Sequence, residues 1–168
     1  MWRWVGVATA AVVGAPALTG CTVPPGGVMG LTVDANGDLL AVVQMCEGQI
    51  DGATLYLPSD SEIVADEKTI GRWEVSPPVA GFSEFSLAKG GNGWRLAQPL
   101  QRRDPAKRYT IYAWSNANDW SADGPEFTAA EVAGLHPSDV LTFKPESEGN
   151  RTESLADFRT KTCENWDH

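Results

Sequence analysis

The residues of this chain best suited to hold a ligand lie in one stretch, Trp114-Ser115-Asn116-Ala117-Asn118-Asp119-Trp120-Ser121-Ala122-Asp123-Gly124. Two indoles flank two amides and a carboxylate. That mixture suits a sugar, because an aromatic face stacks on the apolar face of a pyranose while amides and carboxylates bond its hydroxyls. The candidate binding residues are therefore Trp114, Asn116, Asn118, Asp119 and Trp120. A competing expectation is structural. In it Trp114 is core and Trp120 a lid packed on the sheet edge; by sequence neighbours, Trp114 falls inside a strand pattern and reads as packing, whereas Trp120 sits among Asn, Asp and Ser and reads as exposed.

Other chemistry-bearing residues are sparse. Asp34, Asn36 and Asp38 alternate like the opening of a calcium loop, but Gly37 comes one place early and Met45 stands where the bidentate Glu would be. The same residues make a hairpin turn, since Asn-Gly tolerates positive φ. No Gly-x-Ser-x-Gly, His-Glu-x-x-His or phosphate loop is present, and the two histidines, His136 and His168, have no metal-ligand spacing. Nothing asks for a metal or another cofactor, and no catalytic residue is nominated. A carboxylate pair could hydrolyse glycosides, but 22 Asp and Glu residues single out no pair.

Positioning such a loop is the work of one domain, because 168 residues leave little room for a second. With 42% hydrophobic and 21% charged residues the composition is globular. The 17 Gly and 11 Pro favour a turn-rich β protein over a helical bundle. A net charge of −9 disfavours a nucleic-acid partner, which needs a basic footprint. Short apolar runs broken by turn residues recur about every ten residues, the pattern of a sandwich or barrel. Strands are expected around residues 30–33, 39–46, 53–57, 70–75, 81–87, from 94, 108–115 and 140–143. Pro77-Pro78 is expected to stop the fourth, because proline cannot donate to a ladder. In the clearest strand Tyr109, Ile111 and Ala113 alternate with Thr110, Tyr112 and Trp114. Helix signals are few: Thr128-Ala129-Ala130-Glu131 is a capping-box pattern, and Ser154 to Phe158 starts a C-terminal segment.

The N-terminal residues read as an address. Arg3 is followed by an apolar run from Val5 to Leu18, interrupted by Gly14 and Pro16 and too short to span a bilayer. It ends in Leu18-Thr19-Gly20-Cys21, which resembles the lipobox of bacterial lipoproteins. The resemblance implies a signal peptide over 1–20, a lipid-modified Cys21 with a Pro- and Gly-containing tether over 21–27, and a folded domain over 28–168. It places the protein on the extracytoplasmic face of a cell membrane, with membrane lipid as partner through Cys21. If Cys21 carries lipid, Cys46 and Cys163 remain in an oxidising compartment, where they either form a disulfide or stay as two buried thiols.

Asp104-Pro105, then Tyr109-Thr110-Ile111-Tyr112-Ala113-Trp114, a polar loop, and Phe127-Thr128 resemble the last hairpin of immunoglobulin-like and fibronectin type III-like domains. Tyr109 stands where their corner tyrosine stands. As a whole the chain resembles lipoproteins of high-GC Gram-positive bacteria. These resemblances imply a mainly β fold, a single immunoglobulin-like β-sandwich with one or two short helices near the C-terminus. The functional expectation is a non-catalytic binding or interaction module of the cell envelope, its ligand a glycan or an envelope protein. The alternative is a small envelope hydrolase using carboxylates.

Overall fold

A computed structural model describes residues 23–59, 67–144, 149–164 and Trp166. The signal-peptide and lipobox residues, Cys21 among them, lie outside the described residues, as does His168.

The first strand, β1 (Pro25–Val33), takes up three residues that composition assigned to the tether. It pairs with the whole of β2 (Leu39–Met45), from Gly27↔Met45 to Val33↔Leu39. The Asn36-Gly37 turn joins them, with Gly37 at φ 81° and Asp34 Oδ1 accepting from the backbone N–H of Asn36 and Asp38. Those donors hold the Asp34 carboxyl below its ordinary range, the bond from Asp38 first. The carboxylate thus closes its own turn, and among the described residues no group of three or more His, Cys, Asp or Glu is placed to hold a metal ion.

The next strands are β3 (Ile50–Leu57), β4 (Lys68–Val79), β5 (Phe82–Ser86), β6 (Trp94–Gln98) and β7 (Arg108–Trp114). Pro77 and Pro78 do not stop β4. They lie in a bulge, where β3 advances from Ile50 to Gly52 while β4 runs from Val79 back to Glu74. An exposed bulge asks for no ladder donor there. Three short strands follow or flank the helix α1 (Ala129–Ala133): β8 (Ser121–Asp123), β9 (Glu126–Thr128) and β10 (Asp139–Lys144). The chain closes with β11 (Gly149–Ser154) and α2 (Leu155–Lys161). Thr128 and Glu131 make the expected capping box, and Ser154 caps α2 through the Asp157 N–H.

The expected immunoglobulin-like sandwich is not what these strands build. A sandwich needs two separate sheets, and here every strand belongs to one. The order β6-β4-β3-β7-β8-β1-β2-β5 runs around a nearly closed eight-strand barrel. The seam lies between β5 and β6. Side chains cross it instead of a ladder: Phe85 stacks on Trp94 at 4.2 Å, and Trp94 Nε1 donates to Ser83 Oγ at 3.0 Å. Inward-facing residues of all eight strands, including Leu31, Val43, Leu55, Trp73, Ile111 and Ala122, share one core. The likeness to immunoglobulin-like domains is confined to a corner, where the Tyr109 hydroxyl accepts from the Asp104 N–H at 2.7 Å.

β1 is the branch point. One edge carries β2, and the other is shared. β8 runs parallel to its first half (Pro25↔Ser121, Val28↔Asp123), and β10 runs antiparallel to its second (Gly30↔Thr142, Leu31↔Leu141). β7 divides its own edge similarly between β8 (Ala113↔Ala122) and β9 (Tyr109↔Phe127). The sheet therefore forks beyond β8. β10 and β11 follow β1, and β9 follows β7. Outside the barrel wall, Phe158 of α2 packs with Val42 and Val140 in a second cluster.

The disulfide Cys46–Cys163 ties α2 to the end of β2 across 117 positions. Closing a loop of that length restricts the unfolded chain by about 4–5 kcal/mol on the entropy model. The double variant Cys46→Ser/Cys163→Ser should lose about 3–5 kcal/mol of stability in urea denaturation. The wild-type domain should resist alkylation at both cysteines until reduced, which mass spectrometry reads directly.

Candidate functional site

The alternation of β7 sets the site. Its odd row, Tyr109, Ile111 and Ala113, is buried in the barrel, so its even row, Arg108, Thr110, Tyr112 and Trp114, must face outward. β3 lies alongside with Gly52↔Trp114, Thr54↔Tyr112 and Tyr56↔Thr110 in register. The outer surface of this strand pair is consequently aromatic. Tyr56 and Tyr112 meet edge to face, 5.6 Å apart at 83°. Trp114 lies against Gly52, where a Cβ would collide with its ring. The guanidinium of Arg72 covers that indole at 4.3 Å, and its Nε1 donates to Thr54 Oγ1 at 2.9 Å.

Three depressions run along the even row. The largest, about 520 Å³, lies at the fork of the sheet and is lined by Tyr56, Thr110, Tyr112, Asp123, Glu126 and Phe143, with Pro58, Glu67 and Gly124 around them. Beyond Glu126, Asn150 of β11 donates to the Glu126 carbonyl at 2.7 Å, so the arms of the fork are bridged again. A second depression, about 230 Å³, shares Tyr112 and continues past Trp114, Asn118, Trp120 and Ser121. A third, about 370 Å³, shares Pro58 and Glu126 and continues past Lys107 and Arg108. Shared lining residues connect the three in a row along β7, a groove in outline. From Arg108 to Ser115 the floor advances roughly 23 Å at the usual rise per residue of a strand.

The fork cleft is acidic, and its carboxylates differ in circumstance. Glu126 is paired with Arg108 at 3.0 Å. Asp123 has no such partner among the described residues. Although much of its surface is open, the surrounding wall removes enough water to push its carboxyl above the ordinary range. The Tyr56 hydroxyl is pushed up as well, first by burial, against a lowering hydrogen bond with Thr110 and with a smaller raising effect of Glu67. Among the described residues that line the three depressions, Lys107 and Arg108 are the cationic ones, and both lie past Glu126.

Of the residues nominated from sequence, the structure brings Trp114, Asn118 and Trp120 into one depression. Asn116 and Asp119 do not line it. The Asp119 carboxylate accepts from the Ser115 hydroxyl, and Ser115 Oγ accepts from the Asp119 and Trp120 N–H groups at 3.1 and 3.3 Å. The Asn116 N–H donates to Asp51 Oδ1 at 2.8 Å. Asn118 turns the loop at φ 55°. Much of this polar character, then, holds the loop itself. The expected contrast between the two indoles does not appear, since both are half-buried. Trp114 stands on the outer face, whereas Trp120 packs against the barrel core and over Gly26 and Gly48, leaving no room for a Cβ at either. Tyr56 and Glu126 carried no sequence signal of a site, and Asp123 closed the singled-out stretch without being nominated. Tyr112 was legible only as a member of the even row of the clearest strand.

Comparisons with protein-family models, with curated proteins and with solved structures find no match, and so lend nothing to a likeness with lipoproteins of high-GC Gram-positive bacteria. The site stands on its geometry.

The two indoles should separate in urea denaturation. Trp120→Ala empties space against the core and two glycine backbones, and should cost about 3 kcal/mol. Trp114→Ala removes a ring from the outer face, and should cost about half that.

Proposed function

We propose that this protein is a non-catalytic binding module of the cell envelope whose outer-face groove holds an extended glycan. The observation that carries the reading is Tyr112. It floors both the fork cleft and the depression beside Trp114, which makes them one path instead of two pockets. A linear polymer of rings suits such a path, because the aromatic side chains that line it offer apolar surface to a pyranose and the polar rim supplies Thr110, Asn118, Ser121 and Asp123 to hydroxyls. An envelope protein would be better served by a broad apolar surface with a polar rim than by this narrow, partly acidic path.

Attachment to the membrane rests on Leu18-Thr19-Gly20-Cys21, the reading that makes Cys21 the lipid-bearing residue. Among the described residues no helix is long and apolar enough to cross a membrane. Stable anchoring by lipid takes more than one acyl chain, which a diacylglyceryl group provides. The folded domain begins at Pro25, so an anchor at Cys21 holds the barrel close to the surface.

Titration calorimetry with soluble linear oligosaccharides of six units, both neutral and charged, tests the groove. Tyr112→Ala should weaken binding at least tenfold with little change in melting temperature. Absence of heat with every oligosaccharide would remove the glycan reading, and cleavage of any of them during titration would replace it with hydrolysis. Separately, Cys21→Ser should release the protein from the membrane fraction or leave an unprocessed precursor. Fractionation identical to wild type would exclude lipid anchoring.

A further inference from the structure

The fork cleft holds a feature that a groove for neutral sugars does not explain. Asp123 projects from β8 at the point where the sheet divides, and the carboxylate forms neither a hydrogen bond nor an ion pair with the described residues around it. Its neighbours in the cleft wall are the two perpendicular tyrosine rings, Tyr56 and Tyr112, and the ring of Phe143. Nearby Glu126 has its cation in Arg108, and Arg72 is engaged over Trp114, one depression away. A carboxylate with no cation among the described residues, set beside aromatic walls, is an electrostatic vacancy of one sign. A ligand that covered it without bringing positive charge would strip its remaining water and offer nothing in return. An ammonium group reverses the balance, since it pairs with the carboxylate in a charge-assisted hydrogen bond and is attracted to the electron-rich faces of the rings.

We propose that the fork cleft is a subsite for an ammonium group, held by Asp123 among Tyr56, Tyr112 and Phe143, and that the ligand of this protein is a glycan bearing free amines. The proposal rests on the groove reading above and narrows its ligand class. A metal ion fits the same residues poorly, because the cleft carboxylates do not gather into a donor set and aromatic rings supply no ligand atoms. Extension along the groove is consistent with a polymer. Trp114 and Trp120 follow in one direction, and the cationic Lys107 and Arg108 cap the other, where a further amine would be repelled.

The experiment is a paired titration of the full chain in neutral detergent with a glucosamine hexamer and with its fully N-acetylated counterpart, both at pH 6 and low salt. The amine form should bind at least tenfold more tightly. Asp123→Asn, which keeps the shape and removes the charge, should abolish that preference by weakening the amine hexamer at least tenfold, with the melting temperature unchanged. Equal binding of the two hexamers, or a preference that survives Asp123→Asn, overturns the ammonium subsite and leaves the groove standing. Binding of neither hexamer overturns the ammonium subsite, and the groove reading falls with it if the other oligosaccharides named above also give no heat. Pentalysine, run as a third probe, should bind more weakly than the amine hexamer. Tighter binding of pentalysine overturns the proposal in favour of a basic peptide.

Discussion

A strand has two edges, and β1 must share one of them between two partners. Its hydrogen bonds to β2 occupy one edge from Gly27 to Val33. On the other, β8 ends after Val28 and β10 takes over at Gly30. Everything specific to the molecule follows from that handover. Because β8 is only three residues long, β1 and β7 are bridged at one end and part at the other. The gap cannot be left as bare backbone, since unpaired strand edges are costly, and β9 and β10 fill the two exposed edges separately. Thr142 reinforces the handover by donating its hydroxyl to the buried Met29 carbonyl at 3.1 Å. The cleft between the arms is thus a by-product of pairing arithmetic, and its depth is set by how soon β8 stops.

Glycine makes the aromatic surface possible. Gly52 lies opposite Trp114 in the β3–β7 register, and the indole lies down over the bare backbone instead of standing away from it. Gly26 and Gly48 do the same for Trp120, and Gly48, at φ 61°, also makes a turn that other residues rarely adopt. A glycine inside a strand ordinarily weakens it. Here the ring supplies the contact that the missing side chain cannot, and the outer face gains flat apolar area without a protruding core residue.

How much of this could be read in advance varied with range. Alternation in Arg108–Trp114 showed the two rows of β7, the Asn36-Gly37 turn showed the first hairpin, and Thr128 with Glu131 showed the cap of α1, because each is a local matter of side-chain period or φ. Pairing Cys46 with Cys163 followed from counting. The barrel was not legible. Closure depends on which strands share edges, and Asp123 and Glu126 sit in strands of three residues with no periodicity to detect. Tyr109 was misleading for a physical reason. A tyrosine hydroxyl returning to the backbone of Asp104 stabilises the turn ahead of a strand in any β architecture, so it reports a corner and not a sandwich. The loop from Asn116 to Asp119 misled differently, since amides and carboxylates can serve a ligand or their own turn, and composition does not tell these apart. Trp120 was read as exposed from its polar neighbours in sequence, but its neighbours in space are Gly26 and Gly48, distant along the chain.

The direction in which the chain enters the barrel has a mechanical consequence. Pro24 accepts from the Ser121 N–H at 3.2 Å, and the Cys46 N–H donates to the Gly26 carbonyl at 2.8 Å, so the first residues of β1 are already bonded on both sides. A pull applied ahead of Pro24 acts along the strand axis. It loads the rungs to β2 and β8 together, in shear, and cannot peel them one by one. The same end carries the disulfide, which keeps α2 from being drawn off the wall while β2 bears strain. Resistance to such a load is governed by the rate of unfolding and not by equilibrium stability. A load on the first strand is thus met by two whole ladders at once.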